Sequence, residues 1–390
     1  MQKHKRRICL IQMHYIDLEF SLEKYNPIRI LKSANIFDEI VLICPNMEEN
    51  KIIEPFAQKH GVKLFYGDVH NVTKRMYDAA LYYGGEVIVR PSIRWFFLDV
   101  ALIKNMIIYM DNTGSDYVLL PYDFDERFGA EVFSIHCLER LNDIFLNDAV
   151  IKNRYQFAPS GFLEVEENNL TVGYFNDIPT YDQRTFDNLA VLMKEAWPKE
   201  GKGQNYADRP VNSYEFAKKY LGTNDHVLDI ACGTGYGTNL LTTGVNVVCT
   251  GVDISEELIV GARGRFSSNP NAHFICKSFE ELDFEDNSFD KIVSLHTMEH
   301  IPDDDYFLRK MYDLLKLKGR LLLEIPILRR RPFEGIATPI NPDHFREYMI
   351  EELKDKVSRY FSIERVFGVN HGFYTDENKM RNACFMVASK

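Results

Sequence analysis

The run His226-Val-Leu-Asp-Ile-Ala-Cys-Gly-Thr-Gly-Tyr-Gly-Thr238 constrains this chain more than any other stretch. Val227 to Ala231 is apolar apart from Asp229 and reads as a buried strand. Gly233, Gly235 and Gly237 follow it, and a helix-like segment comes next. Glycines at such a junction let backbone N–H groups approach a ligand closely and adopt a positive φ that a side chain resists. About twenty residues on, Gly251-Val-Asp-Ile-Ser255 reads as a second strand ending in an acid, the place where such sheets hold a ribose diol. To this point a nicotinamide enzyme fits as well.

Later segments separate the two. Ser278-Phe-Glu-Glu-Leu-Asp-Phe284, Asn287-Ser-Phe-Asp-Lys-Ile-Val-Ser294, Met298-Glu-His-Ile-Pro-Asp303 and Leu314-Leu-Lys-Leu-Lys-Gly-Arg-Leu-Leu-Leu-Glu-Ile-Pro326 follow in order. Together they resemble the class I S-adenosylmethionine-dependent methyltransferases over residues 205–390. With Asn341-Pro-Asp-His-Phe-Arg-Glu347 the likeness is to a subgroup that accompanies surface-glycan assembly. The resemblance implies a Rossmann-like sheet, S-adenosyl-L-methionine as cofactor, and O-methylation of a sugar hydroxyl on a surface glycan or nucleotide-linked sugar. It places Asp229 near the methionyl amino group and Gly233 and Gly235 along the cofactor. Asp253 falls on the ribose hydroxyls and Phe279 beside the adenine. Ser278 stands where an acid commonly receives the adenine amino group, and Ala231, Ile254 and Leu295 fall on the same motifs.

Methyl transfer from a sulfonium needs alignment and, for a hydroxyl acceptor, removal of a proton. The resemblance makes His300 a candidate base, with His296 and His344 behind it, since imidazole titrates near neutrality. Asp303 or Glu347 is placed to orient one of these rings. The competing reading has Glu299 and His300 capping the next helix, together with Asp303 to Asp305. That run of carboxylates reads as an exposed helix start, and no metal site is expected.

A chain of 390 residues suits two or three domains, and 45% hydrophobic with 13% aromatic residues supports packed cores. The formal charge of −11 argues against nucleic-acid binding. Seven cysteines without a Cys-x-x-Cys pair read as small core hydrophobes. No apolar stretch approaches the roughly 18 residues of a membrane span, and no signal peptide precedes the first strand. A cytoplasmic protein is therefore expected.

The first half also alternates between element types, which implies a mostly parallel, helix-covered sheet. Residues 8–12, 39–44, 62–66, 86–90 and 117–121 read as strands, and residues 52–59, 72–83 and 99–110 as helices. The fold class is thus α/β with two domains. Residues 1–150 form the first, 151–204 a tail and connecting helix (185–197), and 205–390 the methyltransferase domain. Tyr66-Gly-Asp-Val-His-Asn-Val-Thr-Lys-Arg-Met-Tyr-Asp-Ala-Ala80, Val87-Ile-Val-Arg90 and Phe128-Gly-Ala-Glu-Val-Phe133 resemble cytidylyltransferases of polysaccharide biosynthesis, implying a nucleotidyltransferase-like sheet.

Two departures separate this half from that chemistry. The opening loop Gln12-Met-His-Tyr-Ile-Asp-Leu-Glu-Phe20 has two acids and no Gly, Lys or Arg to hold a triphosphate. Arg94 stands where an Asp would help hold Mg²⁺, and a guanidinium cannot ligate a metal. The first domain is therefore expected to bind a sugar or nucleotide-sugar acceptor, or a glycan-assembly protein, without nucleotidyl transfer. A non-catalytic scaffold and a bifunctional cytidylyltransferase–methyltransferase are the alternatives.

Overall fold

The computed structural model describes residues 5–19, 26–93, 97–121, 124, 128–155, 159–165, 168–182, 184–185, 187–188, 191, 211–327, 344–370, 373–380 and 383–390. The chain divides into two compact units, Met1–Gly203 with Arg330–Ile336 and Gln204–Arg329 with Ala337–Lys390. Arg94, most of the helix expected over 185–197, and Asn341 to Asp343 lie outside the described residues.

In the first unit, Ile8, Cys9, Leu10 and Ile11 form an unbroken apolar run, and all four are buried. Such a run suits a central strand covered on both faces. β1 (Arg7–Gln12) indeed lies between β2 (Glu39–Pro45) and β4 (Val87–Arg90), parallel to both. With β3 (Lys63–Gly67), β5 (Tyr117–Leu119), β6 (Glu131–Ser134) and β7 (Val172–Tyr174) the order is β3-β2-β1-β4-β6-β5-β7. β6 runs antiparallel to both its neighbours.

Helix Val72–Tyr83 starts on Asn71, whose side chain accepts the Lys74 N–H. Helix Val100–Thr113 starts on Asp99 in the same manner. Residues 52–59 do not form one helix. A 3-10 turn, Glu48–Ile53, precedes the helix Glu54–His60, whose first turn accommodates Pro55.

The loop after β1 forms a 3-10 turn, Tyr15–Glu19, in which Asp17 is buried and accepts the His14 N–H at 2.7 Å. Asp17 thus faces its own backbone. The Tyr15 N–H donates to Asn50 Oδ1 at 2.9 Å, and the Met13 N–H to the Ile43 carbonyl at 3.1 Å.

The second unit holds an eight-stranded sheet of order β10-β9-β8-β11-β12-β15-β13-β14. Its parallel part comprises β8 (His226–Ile230), β9 (Val248–Asp253), β10 (Ala272–Cys276), β11 (Phe289–Leu295) and β12 (Leu315–Pro326). β13 (Ser362–Asn370), β14 (Phe373–Asp376) and β15 (Ala383–Ser389) complete it in antiparallel fashion. The chain winds outward from β8 through β9 to β10, then crosses back to β11 on the other side of β8. Sheets of this kind bind ligands beyond the carboxyl ends of the strands flanking such a switch point. Here those ends are Ile230 and Leu295.

All seven cysteines are unpaired, and only Cys276 is not buried. No helix among the described residues is long and apolar enough to cross a membrane.

Candidate functional site

Both strands at the switch point end in a residue that turns the chain back with positive φ. Ala231 follows β8 at φ 58°, and His296 follows β11 at φ 52°. Non-glycine residues in this region cost of the order of 1–3 kcal/mol each and concentrate at functional sites.

Beyond Ala231 the glycine loop opens. Gly233 takes φ 54°, with nothing within 4 Å of the place a Cβ would occupy. Gly235 takes φ 74°, and a Cβ there would meet Phe274 and Ala262 at 2.5 and 2.6 Å. The first glycine therefore leaves a surface for a ligand, while the second lets the loop close onto the sheet.

Asp253, at the end of β9, fixes this loop. Its Oδ2 accepts the Gly233 N–H at 2.8 Å and its Oδ1 the Ser255 N–H at 2.9 Å. The carboxylate is half-buried, and each oxygen keeps lone-pair capacity for a further donor. Next to it Ile254 is 76% exposed, an apolar side chain that burial under a ligand would cover. Ser278 and Phe279 lie half-buried in the segment after β10, whose Lys277 N–H donates to the Asp253 carbonyl at 3.1 Å. Leu295 is buried at the end of β11.

Asp229 stands apart from this surface. It is fully enclosed, and its oxygens accept from Thr238 Oγ1 at 2.7 Å and the Tyr214 hydroxyl at 3.1 and 3.3 Å. Burial is the main cause that pushes its carboxyl up to about 7, against the hydrogen bonds from Thr238 and Tyr214 and with the repulsion of Asp253. The sequence reading puts Asp229 at the methionyl group. In the structure its oxygens are engaged by Tyr214 and by Thr238, the residue that follows the last glycine.

The loop after β11 collects the histidines. Thr297 Oγ1 lies 3.4 Å from the Ile230 carbonyl and 3.2 Å from that of Leu295, which fixes this loop beside the start of the glycine loop. His296 is bracketed by acids, with Nε2 2.9 Å from Glu324 Oε1 and Nδ1 3.6 Å from Glu299 Oε1. Burial pulls its pKa down, but the neighbouring carboxylates of Glu299 and Glu324 outweigh that and raise it to about 10. The two carboxylates therefore favour the protonated form of His296.

His300 and His344 are different. Their rings pack edge to face with centroids 5.0 Å apart and planes at 79°. His344 Nδ1 lies 3.4 Å from Glu347 Oε1, and His300 Nε2 lies 3.9 Å from Glu299 Oε1. The Phe345 N–H donates to the Glu299 carbonyl at 2.8 Å, so the late segment is fastened to the turn Met298–His300.

Neither Glu299 nor His300 caps the following helix. Asp303 does so, accepting the Tyr306 N–H at 2.9 Å. Nor is Asp304 exposed. It is buried against the Tyr348 hydroxyl at 2.6 Å and Lys356 Nζ at 2.9 Å, and Asp305 pairs with the same lysine.

Glu324, Tyr374, Tyr214 and Thr238 were missed in the sequence. Glu324 is 2% exposed and accepts from Ser213 Oγ at 2.9 Å and the Tyr374 hydroxyl at 2.7 Å, besides His296. A charge inside Leu-Leu-Leu-Glu-Ile-Pro is the signal that marks it. Tyr214 carries no comparable signal.

Residues 227–319 match the family profile described as a methyltransferase domain. A probable S-adenosylmethionine-dependent methyltransferase of Mycolicibacterium smegmatis is 32% identical over 148 residues, 37% of this chain and 55% of that protein. One of Mycobacterium tuberculosis is 34% identical over 128 residues, 33% of this chain and 44% of that one. A ubiquinone biosynthesis O-methyltransferase of Coxiella burnetii is 28% identical over 142 residues, 36% of this chain and 60% of that one. The chain thus spans about half the length of the curated relatives it matches.

The residues present fit the donor. An open glycine surface, a half-buried carboxylate with spare acceptor capacity and an exposed apolar neighbour meet its backbone-hugging, diol and aromatic parts. The second unit carries a methyltransferase domain similar in sequence to S-adenosylmethionine-dependent methyltransferases.

Proposed function

We propose that this chain methylates a hydroxyl of a sugar, carried on a surface glycan or linked to a nucleotide. The first unit binds the acceptor or a partner of glycan assembly and transfers no nucleotide. The observation that carries the reading is the pair of imidazoles, His300 and His344, backed by Glu299 and Glu347 and fastened through Thr297 beside the glycine loop.

S-adenosylmethionine supplies an activated methyl group on a sulfonium. Asp253 and the Gly233 amide fix where the donor lies, and Asp229 keeps that loop in place through Tyr214 and Thr238. The face bearing His300 and His344 receives the acceptor and handles its proton. His296 holds Glu299 and Glu324 in register instead. In the first unit the Met13, His14 and Tyr15 amides are spent on Ile43, Asp17 and Asn50, which supports binding without a phosphate cradle.

The test is a mass-spectrometric screen with methyl-deuterated donor against sugar nucleotides and lipid- or polymer-linked glycans. One added methyl ether on a sugar is expected. A methyl group found on carbon or nitrogen, or only on a non-sugar acceptor, overturns the reading.

A further inference from the structure

Glu299 is 1% exposed, and among the described residues neither of its carboxylate oxygens has a hydrogen-bond partner. An ionised carboxylate taken out of water in this way costs several kcal/mol unless an opposite charge compensates it. His296 Nδ1 stands off at 3.6 Å, and its ring is already engaged by Glu324 through its other nitrogen. What Glu299 faces is His300 and His344, and one ligand atom from each of the three residues lies within 4.8 Å of the others. The two rings stand almost perpendicular, so their nitrogens can converge on one point without stacking.

We propose that Glu299, His300 and His344 bind a divalent cation of the first transition row, zinc foremost. Two imidazoles and one carboxylate form the donor set such ions prefer, whereas magnesium and calcium favour sets of oxygens. Bonds of about 2.0–2.2 Å bring ligand atoms to roughly 3.4 Å apart, so the cluster closes by about an ångström. His300, with 43% of its side chain exposed, has room to make that movement. Glu347, against His344 Nδ1, is the carboxylate that orients a ligating imidazole through its other nitrogen. Asp303, Asp304 and Asp305 take no part, being spent on the helix cap and on Lys356 and Tyr348.

Three protein ligands leave positions open for the acceptor. The inference deepens the proposed function and rests on its placing the acceptor at this face. A hydroxyl bound to the cation loses its proton to solvent more readily. Its oxygen lone pair then forms the new O–C bond as the methyl carbon–sulfur bond breaks, with that electron pair remaining on sulfur.

The experiment titrates the metal-stripped full chain with Zn²⁺ by calorimetry and with Co²⁺ by visible absorption. One cation per chain is expected, with Co²⁺ bands of a four- or five-coordinate site. Glu299→Gln and His344→Ala should each weaken Zn²⁺ binding by about 100-fold or more, while S-adenosylmethionine affinity stays at the wild-type level and reports an intact fold. Absence of stoichiometric binding, or binding unchanged in both variants, overturns the site. Methyl transfer that persists after chelation, with no cation bound, also sinks it and leaves the proposed function standing. A cation bound as described in a protein that methylates no sugar leaves the site standing and removes the proposed function.

Discussion

Asp253 already accepts one backbone N–H on each carboxylate oxygen, from Gly233 and from Ser255, and each oxygen keeps lone-pair capacity for a further donor. Asp253→Ala should weaken S-adenosylmethionine by about 2 kcal/mol, roughly 30-fold. Asp253→Asn should lose less, since its amide oxygen still accepts one hydroxyl. Calorimetry reads both, and unchanged affinity in the alanine variant removes the donor assignment.

Asp229 makes a different prediction. Burial, offset only in part by Thr238 and Tyr214, lifts its carboxyl from the ordinary 3.8 to about 7. The folded chain then keeps a proton that the unfolded chain releases, so stability falls as pH rises through that window and levels off above it. The slope is at most about 1.4 kcal/mol per pH unit. Asp229→Asn carries no such proton. Its stability relative to the wild type should grow between about pH 5 and 7 and then stay constant, as followed by urea denaturation at each pH. A difference independent of pH would show that Asp229 is ionised in the fold.

Between strand and helix, the glycine loop works because its neighbours fill the space its side chains leave. A Cβ on Gly237 would fall 1.9 Å from the Tyr214 ring, the same ring whose hydroxyl reaches Asp229. Gly237→Ala should therefore push Tyr214 off Asp229 and destabilise the second unit by about 1–3 kcal/mol or more. Equilibrium denaturation measures this. Tyr214→Ala combined with Gly237→Ala should cost less than the sum of the two, because the clash disappears with the ring. Additive losses would mean that the glycine is there for some other reason.

The same element shows what a sequence makes legible. Its strand, its glycines and the acid of β9 are local patterns, and they stand where the order of residues placed them. Asn71 and Asp99 as helix starts are likewise local. The contact between Tyr214 and Asp229, and the bracketing of His296 by Glu299 and Glu324, depend on how strands pair and side chains pack across the sheet. No spacing announces them. For that reason the acids around His296 could not be read from the sequence, although His296, His300 and His344 themselves could.

Over the whole molecule, each unit has its own sheet and its own switch point, and the two differ in what they leave free there. In the second unit the loop after β8 presents Gly233 with open space above it. In the first, the chain crosses from β3 back to β4 past β1, and the loop after β1 occupies the equivalent place. Its Met13, His14 and Tyr15 amides are already hydrogen-bonded within the unit, and the buried Asp17 adds negative charge where a triphosphate would need amides and cations. The full chain should thus release no pyrophosphate from CTP with any sugar acid, with or without Mg²⁺. On the proposed function it should nevertheless gain thermal stability from a sugar nucleotide. At a ligand concentration of about 100 times Kd the gain is about 2.7 kcal/mol, to be read as a shift in Tm. The shift should survive Asp253→Ala, because that residue lies in the other unit. Magnesium-dependent release of pyrophosphate would make the first unit an active nucleotidyltransferase. A Tm shift abolished by Asp253→Ala would place the sugar nucleotide in the second unit and leave the first without this role.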